Sequence, residues 1–92
     1  MRRAAKRDGN EHTIVRALRK AGCRVMFGSP NPDLIVQRGR TTYLLEVKQR
    51  KGGKLTASQE KMLADGWHFH IVRSEDEALE AVGLKASERE AV

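Results

Sequence analysis

Apolar residues recur along this chain in two rhythms, and the switches between them mark its elements. From Glu11 to Ala21 the residues Ile14, Val15, Ala17, Leu18 and Ala21 fall at helical spacing, and Gly22 ends the run. Asn10 or Asp8 is the candidate cap. Cys23 to Phe27 predicts a short strand, and Gly28-Ser29-Pro30-Asn31-Pro32 a loop. Leu34-Ile35-Val36 and Tyr43-Leu44-Leu45 then read as two strands joined through Arg38-Gly39-Arg40, a β-hairpin. Thr56 to Gln59 has the form of a capping box, opening a helix that continues through Met62 and Leu63 to Gly66. WHFHIVR, Trp67 to Arg73, alternates as a strand, with Trp67, Phe69 and Ile71 on one side. Ser74 caps a short acidic helix containing Ala78, Leu79 and Val82, which Gly83 stops. The order α-β-β-β-α-β with a short C-terminal helix predicts a small mixed sheet flanked by helices, α/β, or α+β by some conventions.

The hairpin carries a consequence for chemistry. With Gly39-Arg40 as a two-residue loop, Gly first, Arg38 faces Thr41 and Asp33 faces Glu46. Directly opposed Cβ atoms stand roughly 4.5–5.5 Å apart, so two carboxylates converge on one face. Lys48 joins that face, while Tyr43, Leu45 and Val47 point the other way. Paired buried carboxylates repel unless a cation compensates, and a hard divalent ion such as Mg²⁺ suits oxygen ligands. The plainer alternative is a surface hairpin with a solvated Glu-Lys pair.

Ninety-two residues make one domain, small enough that self-association is a natural way to complete its core. The formal charge is +6, which favours an acidic partner, nucleic acid before an anionic membrane. The charge is also uneven. Through Lys54 there are 14 Lys and Arg against 4 Asp and Glu, and from Leu55 onward 4 against 8, so the basic charge accompanies the hairpin. Residues 1–9 form a basic arm with Arg2, Arg3, Lys6 and Arg7, either a DNA-phosphate contact or a solubilising tail. Arg16, on the polar side of the first helix, and Arg50, Lys51 and Lys54, in the loop after Lys48, are candidate phosphate contacts. One cysteine, Cys23, excludes an internal disulfide, and no apolar stretch approaches membrane-spanning length. These features point to a cytoplasmic protein. His68 and His70 have a spacing that suits zinc, but no third ligand has an obvious spacing. Residues 84–92 are a tail or a dimer contact.

Pro32-Asp33 followed by Glu46-Val47-Lys48 resembles the motif of the PD-(D/E)XK nuclease superfamily. The later Gly-Lys-Leu-Thr-x-x-Gln, Gly53 to Gln59, narrows the resemblance to its VRR-NUC domains, over roughly Glu11 to Ser74. The resemblance implies a restriction-endonuclease-like core and Mg²⁺- or Mn²⁺-dependent hydrolysis of DNA. Asp33 and Glu46 are then metal ligands, with the Val47 carbonyl as a third and Glu11 acting directly or through water, and Lys48 completes the catalytic set. Glu11 also has a plain reading beside the helix dipole, and Gln59, by the resemblance a candidate substrate contact, has one as a helix cap. Relatives made of this domain alone look like dimeric nucleases of branched DNA, including four-way (Holliday) junctions, which implies a homodimer here. Two other classes stay open: a non-catalytic nucleic-acid-binding module, and the nuclease subunit of a larger replication or repair assembly.

Overall fold

The computed structural model describes residues 9–28, 32–49 and 54–84. Its elements are α1 (Gly9–Lys20), β1 (Arg24–Phe27), β2 (Leu34–Arg38), β3 (Thr41–Val47), α2 (Ala57–Ala64), β4 (His70–Val72) and α3 (Glu75–Ala81). This is the expected order, a mixed sheet with three helices. The strands lie side by side in chain order; β1-β2 and β2-β3 are antiparallel and β3-β4 is parallel. A parallel pair needs a crossover, and α2 provides it.

The two faces of the sheet differ. Leu34 and Val36 of β2, Leu45 and Val47 of β3 and Val72 of β4 join one buried cluster with Ile14, Val15 and Leu18 of α1, Ala78 and Leu79 of α3 and Val82 at its end. Strand alternation therefore directs this set toward α1 and α3. Met26, Ile35, Leu44, Glu46 and Ile71 fall on the opposite face by register. The α2 layer lies on that side, where Gln59 reaches Glu46. Met26 is 61% exposed and Ile71 40%, so α2 leaves much of this face open. No helix among the described residues is long and apolar enough to cross a membrane.

The hairpin has the predicted register: Arg38 pairs with Thr41 and Leu34 with Leu45. Gly39 supplies a φ of 62° at the first loop position, a backbone that other L residues rarely adopt. At the other end, Gly28 N–H donates to the Asp33 carbonyl at 3.1 Å. A Cβ on Gly28 would stand 1.8 Å from the Pro32 carbonyl oxygen, so only glycine permits this approach.

Several boundaries depart from the sequence pattern. The first helix begins at Gly9, so Asn10 lies within it and is not its cap, and Gly9 leaves the predicted arm. The last strand is His70–Val72, not Trp67 to Arg73. Trp67 instead closes α2: its N–H reaches the Met62 carbonyl and that of Gly66 reaches Leu63, with Gly66 at a φ of 100°. This C-terminal motif keeps residues 67–69 out of the ladder despite their alternation. Cys23 is buried ahead of β1 rather than part of it. Leu84 packs against the core, and residues 1–8 of the arm and 85–92 lie outside the described residues.

Replacing Gly28 by Ala should lower stability by roughly 1–3 kcal/mol, the usual scale of forced overpacking. Thermal denaturation of the variant checks this, and a melting temperature equal to that of the parent protein would remove the Gly28–Pro32 contact as a constraint on the hairpin.

Candidate active site

The register that pairs Leu34 with Leu45 puts Asp33 across from Glu46, one step beyond the end of β2. Gly28 bonds to Asp33 through the backbone, so Asp33 turns its amide group toward β1 and away from β3. In such a non-hydrogen-bonded pair the Cα atoms stand about 4.5 Å apart and the side chains are at their closest. Asp33 Oδ2 accepts the Val47 N–H at 2.8 Å, replacing the backbone partner that β2 does not extend far enough to provide.

Glu46 is fully buried. Gln59 Nε2 donates to Glu46 Oε1 at 2.6 Å, while Oε2 has no hydrogen-bond partner. Burial, and next the neighbouring Asp33 carboxylate, push the Glu46 pKa up to about 7, against a smaller opposing pull from Lys48. A carboxyl held this way is poised to lose its proton when a cation arrives.

Gln59 takes its expected capping role and an unexpected second one, because its amide has two ends. Oε1 accepts the Thr56 N–H at 3.0 Å and completes the capping box of α2, while Nε2 holds Glu46. At 4% exposure it acts on Glu46 rather than on an outside ligand. Lys48 is half-buried just past β3, and its N–H donates to the Val72 carbonyl at 3.0 Å.

Asn10 has a role that its place in the chain did not announce. Its Nδ2 donates to the carbonyls of Lys48 at 3.0 Å and Arg73 at 2.9 Å, joining the ends of the parallel strands β3 and β4 to the start of α1. Glu11, next in the helix, is buried beside this junction, as its place on the apolar stripe predicted. Because α1 covers the face opposite Glu46, Glu11 can approach the acid pair only around the end of β3. Among the described residues no three His, Cys, Asp or Glu side chains form a group able to hold a metal ion. Asp33 and Glu46 still fit a hard divalent cation. Mg²⁺ commonly takes one or two carboxylates and keeps waters, and Glu46 Oε2 is a buried acceptor in need of a positive partner.

The candidate phosphate contacts are more dispersed. Arg16 lies on the exposed side of α1, 2.7 Å from His12 Nε2, and nothing joins it to the acid pair. Lys54 is exposed on the approach to α2. Arg7, Arg50 and Lys51 lie outside the described residues.

A carboxyl with a raised pKa favours the folded state most below its unfolded value, 4.5, and loses that advantage as pH rises through about 7. Without divalent cations, stability should therefore fall between these values, by a few kcal/mol at most. Glu46→Gln keeps an acceptor for Gln59 and should flatten the profile. Melting temperatures from pH 4 to 8 test this, and identical profiles for the two proteins would show that Glu46 is not the group responsible. Compared with known proteins, the chain matches no family model, no curated protein and no solved structure, so the chemistry of the site rests on its own residues.

Proposed function

We propose that this chain is a metal-dependent, structure-selective DNA endonuclease that hydrolyses phosphodiester bonds in branched DNA, four-way junctions included. One observation carries the reading: a fully buried glutamate with an unpartnered oxygen stands opposite an aspartate at the entrance of the hairpin. Such a pair is costly without a cation. The net charge of +6 supports a polyanionic substrate. No Arg-, Asn- and Gln-rich recognition helix suggests base reading, which favours selection by DNA structure. A DNA-processing role places the protein in the cytoplasm of a bacterial or phage-infected cell.

Asp33 and Glu46 would hold Mg²⁺ or Mn²⁺, with the Val47 carbonyl and Glu11 as the further ligands that the VRR-NUC resemblance implies. A bound ion of this kind polarises the phosphate and lowers the pKa of a coordinated water. Gln59 keeps Glu46 Oε1 engaged and leaves Oε2 as the acceptor. The Lys48 ammonium orients the attacking water or balances the charge that develops on the phosphate oxygens. Lys54 and Arg16, with Arg7, Arg50 and Lys51, bind the flanking backbone. A homodimer suits a two-fold symmetric junction, and the exposed Met26, Phe27, Leu63, Trp67 and Ile71 leave apolar surface for a second copy to cover.

Among the described residues no third acid converges on the pair, which favours a second reading, a DNA-binding module that does not cut. Incubating labelled flap, fork, four-way and linear duplexes with Mg²⁺ or Mn²⁺ separates the two. The proposal expects nicking of branched substrates, lost in Asp33→Ala. Binding without cleavage under every condition would select the second reading. Lys48→Met should bind Mn²⁺ in calorimetry about as the parent does and lose turnover, and undiminished cleavage would remove Lys48 from the mechanism. Sedimentation at micromolar concentration should give a dimer, and monomer alone would overturn the symmetric arrangement.

A further inference from the structure

Two imidazoles stand together where the α2 crossover enters β4. The ring centres of His68 and His70 are 4.9 Å apart, with planes at 86°. His68 is exposed and His70 half-buried, and the Tyr43 ring centre sits 6.2 Å from that of His70. His70 pairs with Leu45 across the parallel ladder, so it belongs to the face of Tyr43 and Leu45, and Asp33 and Glu46 project from the other.

We propose that His68 and His70 chelate a divalent transition metal such as Cu²⁺, Ni²⁺ or Zn²⁺, at a site separate from the acid pair. With His nitrogen–metal bonds of about 2.0–2.1 Å, a cation shared by both rings stands roughly 3.2 Å from each ring centre. Ligand angles between square and tetrahedral then separate the centres by roughly 4.5–5.2 Å. The observed 4.9 Å falls inside this interval, the spacing that a shared ion requires. Edge-to-face packing of two rings has a similar separation. It does not account for two imidazoles set side by side with His68 exposed, where apolar packing contributes least.

The chemistry also separates the two sites. Imidazole suits Cu²⁺, Ni²⁺ and Zn²⁺, whereas the carboxylates of Asp33 and Glu46 suit Mg²⁺ and Mn²⁺. Among the described residues no third His, Cys, Asp or Glu completes a metal group, so water fills the remaining positions and the site is exchangeable rather than structural. This inference does not depend on the nuclease reading.

The neighbouring residue is a built-in reporter. Trp67, the only tryptophan in the chain, directly precedes His68, and Cu²⁺ bound there should quench its fluorescence. Titrating the full chain with Cu²⁺ should give saturable quenching at one ion per chain, reversed by EDTA and competed by Zn²⁺. His68→Ala should shift the midpoint by more than about tenfold, the loss that removal of even an outer-shell partner causes. Asp33→Ala should leave the midpoint unchanged. As a second measurement, Zn²⁺ should raise the melting temperature of the parent and not of His68→Ala. Quenching that never saturates, or that is equal in the parent and His68→Ala, would overturn the site.

Discussion

Two carboxyl groups face each other where the hairpin opens, and the surrounding structure can be understood as what that opposition requires. Asp33 lies just past the last ladder pair and lends Oδ2 to the Val47 N–H, which keeps β3 in register where β2 has ended. Glu46 is fully buried, with Gln59 donating to its Oε1. Repulsion and desolvation act in the same direction, toward a proton on Glu46 near neutral pH. A helix that merely shielded this residue would make matters worse. The α2 layer instead presents Gln59, whose amide donates to Glu46 while its carbonyl closes the helix's own cap.

The two sheet faces divide the labour of the fold. The side covered by α1 and α3 holds the continuous apolar core. The side toward α2 holds the acid pair, Lys48 and half-open apolar residues, so the chemistry lies where packing is thinnest. Asn10 links the layers, because its amide ties the ends of β3 and β4 to the first turn of α1. The candidate site lies by the carboxyl ends of a parallel strand pair, where backbone groups run out of ladder partners and open sheets commonly place ligands.

Much of this was legible in the chain. A two-residue loop with glycine first leaves one register for the hairpin, and that register alone brings Asp33 and Glu46 together. The Thr56–Gln59 spacing announced the start of α2, and the position of Glu11 on the apolar stripe announced its burial. Alternation over Trp67 to Phe69 misled, because it cannot distinguish a strand from the reversal that follows a glycine-terminated helix.

The sequence by itself determined the element order, the hairpin register and the meeting of the two acids, since each depends on contacts close along the chain. Only the tertiary structure decided that Gln59 engages Glu46 and that Asn10 spans from α1 to the ends of β3 and β4. These depend on how layers stack and on which end of a side chain is free once local bonds are made. Periodicity carries no information about either.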